Sequence, residues 1–166
     1  MKTPPVFQRL EVTFSEDTLP AHGTIAFAYN DGQQAGPARE ITMLAGRQGT
    51  WTIEFAPQSP LPAGAQVAFR KLENEFRFAY RHQHYWPEAA NYVTVEDGQG
   101  KALPFETDTC LKSAVWAVVT LPRPMDSGER IVVRLGDQRR GGRGSTTWST
   151  TYQRARVAAG VRIDGE

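Results

Sequence analysis

Apolar residues recur at every second position over much of the chain, and that period restricts the fold more than any other feature. Leu10, Val12 and Phe14 alternate with Glu11 and Thr13, while Trp51, Ile53 and Phe55 share one side of a run whose other side is Thr50, Thr52 and Glu54. Phe76, Phe78 and Tyr80 alternate with Arg77 and Arg81, and Ile131, Val133 and Leu135 alternate with Arg130 and Arg134. Successive side chains of a strand point to opposite faces, so each run buries one face and wets the other. Val115 to Leu121 is apolar on both faces, the pattern of a central strand covered on both sides. Trp148 to Val157, rich in Thr, Tyr and Val, reads as the last strand, and Asp108 to Ser113 has room for one helical turn. Turn formers separate the runs: Asn30-Asp31-Gly32, Pro62-Ala63-Gly64, Asp97-Gly98 and Asp126-Ser127-Gly128. The expectation is an all-β chain, an antiparallel β-sandwich of jelly-roll or immunoglobulin-like kind with eight to ten strands. Val115, Val119, Ile131 and Val133 belong in its core.

No linker or internal repeat divides the 166 residues, so they read as one domain spanning 1–166. With 40% apolar and 22% charged residues, the chain has enough apolar surface to pack rather than stay disordered. No window approaches the roughly eighteen apolar residues of a membrane span. The opening Met1-Lys2-Thr3-Pro4-Pro5 lacks the apolar stretch of a signal peptide, and Cys110 alone cannot form an internal disulfide. Both favour a cytoplasmic, reducing location.

The net charge is only +1, but it is unevenly placed. Arg134 to Arg162 holds seven Arg against the single acid Asp137, and the remainder is correspondingly acidic. Such an excess points either to a solvated strand face or to an anionic partner. Within it lies Gly136-Asp137-Gln138-Arg139-Arg140-Gly141-Gly142-Arg143-Gly144. Glycines permit tight turns there, and Arg offers a planar fork for carboxylate or phosphate. No Gly-Lys-Ser/Thr follows, so this is not a phosphate-binding P-loop. One copy of an Arg-Gly-Gly run without a recognised module argues against nucleic acid. Arg139, Arg140 and Arg143 are therefore candidates for an anionic ligand or an acidic partner. Asp137, directly after the apolar strand, is placed to brace Arg139 or Arg140 and so to shape the loop.

The second candidate region is aromatic: Phe76, Phe78, Tyr80, Tyr85, Trp86 and Tyr92. Strand periodicity assigns its first members to the core. Tyr85 and Trp86 stand beside Pro87, where a loop begins, and are the candidates for recognition of a partner surface or a sugar ring. A third pattern, His82-x-His84-x-x-x-Glu88, has the spacing of the cupin metal motif and would place two imidazoles on one strand face near a carboxylate. Phe76 stands where that motif has Gly, the remaining histidine, His22, lies upstream, and Trp86-Pro87 breaks the strand before Glu88. A cupin-like metal enzyme is thus the alternative reading, and no metal or cofactor is assigned. No Gly-x-Ser-x-Gly elbow is present, and Cys110 has no flanking signature of a reactive thiol, so no catalytic residue is assigned either.

Four stretches occur in one order: Gly49-Thr50-Trp51-Thr52-Ile53, Phe78 to Trp86, Ala90-Asn91-Tyr92-Val93-Thr94-Val95, and Gly136 to Gly142. Over residues 40 to about 157 the chain resembles the N-terminal β region of an uncharacterised bacterial family of large proteins. In that family the region precedes a metal-dependent hydrolase domain of the polymerase and histidinol phosphatase (PHP) type. The family shows a Gly-Thr-Trp-Thr strand, an Asn-Tyr-Val strand and a Gly-Asp-Arg-x-Gly-Gly loop; here Gln138 separates Asp137 from Arg139. The resemblance implies a non-catalytic β module accessory to a hydrolase domain that would follow residue 166. Three histidines cannot supply the His and Asp ligands of such a domain, so no hydrolase activity attaches to these residues. The expected function is binding or docking, with a carbohydrate-binding module as its narrower form.

Overall fold

A computed structural model describes residues 9–13, 23–30, 35–37, 40–44, 47–71, 82–107, 115–146 and 157–163. Phe14, the Phe76–Tyr80 alternation, the turn at 108–113 and most of the 148–157 strand lie outside the described residues. Twelve strands are seen among them: β1 (Arg9–Thr13), β2 (Gly23–Asn30), β3 (Ala35–Pro37), β4 (Glu40–Leu44), β5 (Gln48–Pro57), β6 (Gln66–Lys71), β7 (Val93–Asp97), β8 (Phe105–Glu106), β9 (Val115–Thr120), β10 (Ile131–Leu135), β11 (Ser145–Thr146) and β12 (Val157–Arg162). Nine have five residues or more, and the other three are pairing fragments of two or three. No described residue is helical, and hence no helix there is long and apolar enough to cross a membrane.

The chain is an all-β antiparallel sandwich. One sheet runs β3-β2-β5-β10-β7, with β11 paired to the start of β5; the other runs β12-β6-β9-β8. β1 and β4 form a separate pair. Between β5 and β10 the path crosses repeatedly from one layer to the other.

β5 is the axis of the larger sheet. Its alternation is strict: Trp51, Ile53 and Phe55 are buried, while Thr52, Glu54 and Ala56 are partly exposed. Antiparallel pairing sets Ile53 beside Val133 and Val133 beside Val95, with Trp51, Leu135 and Val93 forming the next row. These rows face Val67 and Phe69 of β6 and Ala117 and Val119 of β9, and all belong to one continuous apolar cluster. The Phe55 and Phe69 rings meet edge to face, with centroids 6.4 Å apart, and join the layers.

Two strands depart from simple alternation. On β10 the outward Val132 is also buried, flanked in register by Glu54 and Glu96. On β9 the apolar run is not a strand covered evenly on both sides, because Val118 is half-buried and Thr120 exposed. Its register against β6 skips Trp116: Phe69 pairs with Ala117 and Arg70 with Val115. Such a bulge re-aims a side chain, and Trp116 joins the core, where it meets His82.

Val119, Ile131 and Val133 are fully buried. Ile131→Ala or Val133→Ala should each cost about 1–4 kcal/mol through lost burial and a cavity. Urea unfolding followed by near-UV circular dichroism measures this, and an exposed control, Thr24→Ser, should stay within about 0.5 kcal/mol of the parent.

Candidate ligand-binding rim

The end of β10 and the starts of β5 and β7 lie together, and two loops, 82–92 and 136–144, adjoin them. The second begins at Gly136, whose φ of 71° and closeness to the Ser145 amide exclude any side chain. Thr50 donates its hydroxyl to the Gly136 carbonyl at 2.8 Å, and the Asp137 amide donates to the Tyr92 carbonyl at 2.8 Å. The chain then turns at Gln138, whose carbonyl accepts from the Gly141 amide.

Asp137 is 1% exposed, and its carboxylate is fully engaged. It accepts from the Arg139 amide at 3.0 Å, from Arg139 Nε and Nη2, and from the Thr94 hydroxyl at 2.6 Å. Arg139 also reaches Glu96 at 2.6 Å, and Glu96 holds Arg134 at the same distance. Two carboxylates therefore match two guanidinium groups. Burial alone would raise the Asp137 pKa, but the hydrogen bonds from Arg139 and Thr94 outweigh it and bring the value to about 2. The Arg139 hydrogen bond likewise holds Glu96 below its ordinary range, against the effect of burial.

The other loop is organised by Gln83. Its amide donates to the Asn91 carbonyl at 2.9 Å, and its carbonyl accepts from the Val93 amide at 2.8 Å, closing the loop at its base. Its side-chain oxygen accepts from both the Tyr85 and Trp86 amides, at 2.8 and 2.9 Å. Its side-chain nitrogen returns a bond to the Trp86 carbonyl at 2.8 Å. One side chain thereby fixes the backbone that carries the two aromatic rings.

Tyr85 and Trp86 are each 62% exposed, the only large hydrophobic side chains exposed among the described residues. Their centroids are 6.1 Å apart with planes at 62°. Tyr85 leans on the His84 ring at 4.1 Å, and His84 meets the Phe105 ring and the Thr107 hydroxyl.

The loops are joined by backbone. A Cβ on Gly142 would stand 2.7 Å from both the Pro87 and Asp137 carbonyl oxygens, so the approach requires glycine. The Asn91 amide donates to the Gly144 carbonyl at 3.0 Å, and Asn91 adopts a φ of 60°, which Asn tolerates better than most residues. Below them His82 Nε2 lies 3.1 Å from the hydroxyl of fully buried Ser145, with the ring edge-on to Trp116. Burial pushes the His82 pKa down to about 3.

The sequence-derived candidates now separate. Tyr85, Trp86, Arg140 and Arg143 are exposed on the two joined loops, and neither Arg140 nor Arg143 has an ion pair among the described residues. Arg139 differs from them, because its guanidinium is held by Asp137 and Glu96. His82 and His84 do not share a strand face. Gln83 makes only an isolated bridge to Tyr92, and the two rings turn to Ser145 and to Thr107. Among the described residues no three His, Cys, Asp or Glu side chains, the set with Glu88 included, are grouped to hold a metal. Sequence reasoning missed Gln83, Thr94 and Glu96. The last two carried a signal, since they alternate outward on β7, but the signal is readable only once β7 is paired with β10.

The chain matches no protein-family model, no curated protein and no solved structure.

Two outcomes follow from these contacts. His82 ordinarily titrates at 6.5 but in the folded chain at about 3, so between those values only the unfolded chain takes up its proton. Stability should therefore fall as pH drops from 6.5 towards 3. The ordinary Asp137 value is 3.8, so its contribution is present above 3.8 and is lost as pH falls towards 2. His82→Gln should flatten unfolding free energy against pH above 3.8 and leave the Asp137 region in place. Separately, Gln83→Ala should speed amide exchange at Tyr85 and Trp86 with little change at Val95, read by hydrogen–deuterium exchange NMR.

Proposed function

We propose that the chain is a non-catalytic binding module whose working surface is the rim made by Tyr85, Trp86, Arg140 and Arg143. In this reading it is accessory to a metal-dependent hydrolase domain of the PHP type. The observation that carries the reading is the exposed Tyr85–Trp86 pair on a backbone fixed by Gln83. Leaving two large rings in water is unfavourable, and holding them in one arrangement lowers the ordering cost of binding. Trp, Tyr and Arg are also the residue types that dominate recognition surfaces.

A hydrolytic reading of His82 and Ser145 finds less support. The pair has the spacing of a base and a nucleophile, but Ser145 is fully buried, so no substrate carbonyl reaches its hydroxyl.

Arrays of oligosaccharides and peptides, together with PHP-type hydrolase domains of the same genome, test the proposal when probed with the parent chain and with Trp86→Ala. The expected result is a set of bound partners lost in Trp86→Ala, with unchanged circular dichroism. A chain that binds nothing, or whose partners are all retained by Trp86→Ala, overturns it.

A further inference from the structure

The rim carries a charge that its own network does not use. Four arginines lie between residues 134 and 143, and two of them, Arg134 and Arg139, are neutralised by Glu96 and Asp137. Arg140 and Arg143 are exposed, with no ion pair among the described residues. Arg143 is set between the two contacts that join the loops: Gly142 against the Pro87 carbonyl, and Gly144 against the Asn91 amide. Trp86 precedes Pro87, so an exposed indole and exposed guanidinium groups stand on the same seam. Glu88 is exposed on that seam too, and it leaves the rim one positive charge in excess.

The amount of apolar surface bears on the class of ligand. A Tyr and a Trp that bury roughly 150–250 Å² each when covered leave about 200–300 Å² at this exposure. A stable protein interface takes about 800 Å² from each partner, with an apolar centre larger than two rings. Beyond the rings, the exposed residues of the rim are polar or glycine: Gln138, Arg139, Arg140, Gly141, Arg143 and Glu88. A patch of this size suits one or two sugar rings, whose C–H faces stack on aromatic planes. The 62° between the Tyr85 and Trp86 planes offers two inclined stacking surfaces instead of one flat platform. A carboxylate on such a sugar would meet a guanidinium fork in bidentate geometry.

We infer that the rim binds an acidic saccharide, a chain of uronic acid units, with a pyranose face on Trp86 and a carboxylate on Arg143 or Arg140. This rests on the reading of the rim as the binding surface.

Isothermal titration of the full chain with oligogalacturonate, with its fully methyl-esterified form and with oligoglutamate tests it. The acid form should bind at least about tenfold more tightly than the ester, the equivalent of one charge-assisted contact. At least one of Arg143→Ala and Arg140→Ala should weaken the acid form and leave the ester unchanged, while Trp86→Ala should weaken both. Affinity for the acid form should fall as salt rises, because exposed charges are screened. Equal binding of acid and ester, lost in Trp86→Ala, overturns the charge assignment while the rim remains the binding surface. Oligoglutamate bound as tightly as oligogalacturonate overturns the saccharide assignment. Absence of Trp86-dependent binding to either saccharide overturns the inference, and array partners that still depend on Trp86 would then preserve the broader reading.

Discussion

A carboxylate taken out of water must be compensated almost completely, and Asp137 imposes that requirement on everything around the rim. It is satisfied by two groups of Arg139, by its own loop's backbone and by a hydroxyl from the neighbouring strand. Each donor fixes a different part of the structure. The Arg139 amide sets the turn after Gly136, the Arg139 side chain is drawn back over β7, and Thr94 ties the loop to the sheet face. Because Arg139 also holds Glu96, which in turn holds Arg134, the loop is anchored along the outer side of two paired strands. Rotating the loop away would strip Asp137 of the Thr94 hydroxyl and Glu96 of the Arg139 guanidinium. A Gly-rich segment that would otherwise sample many shapes therefore has one strongly preferred shape.

The sandwich was legible in the sequence because alternation is a local signal. Trp51, Ile53 and Phe55 announce their strand without reference to any other residue. The route from strand to site is less legible, since it depends on register. Glu96 and Thr94 become partners of the Gly-Arg loop only because β7 lies beside β10, a pairing across more than thirty residues of chain. Asp137 could be assigned to bracing because it and Arg139 are two residues apart. The choice of Arg139 over Arg140 as the braced residue followed from the direction of the turn, which no spacing encodes.

The histidines show the opposite failure. His-x-His places two rings on one face only if the backbone is extended and paired along its length. Here Gln83 makes a single bridge and uses its side chain to cap the next two amides, so the segment curls. The curl sends His82 inward to Ser145 and Trp116, and His84 outward to Thr107 and Phe105. A Gln between two His carries no strong propensity for capping, and nothing local distinguished it from an ordinary strand residue. The β9 bulge is equally silent in sequence, yet it delivers the Trp116 ring against which His82 packs.

The two loops do different physical work, and their contact makes the rim a single surface. The 82–92 loop carries apolar area on a backbone stiffened by side-chain hydrogen bonds. The 136–144 loop carries charge on a backbone stiffened by an ion-pair network. They meet through glycine and carbonyl groups at Gly142 and Pro87, where even a methyl group would intrude. Backbone-to-backbone contact of this kind leaves the neighbouring side chains, Trp86 and Arg143, free to face outward together. A side-chain contact at the same seam would have consumed them. The glycines thus matter less for flexibility than for bringing two separately rigid supports together, so that exposed rings and exposed guanidinium groups share one surface.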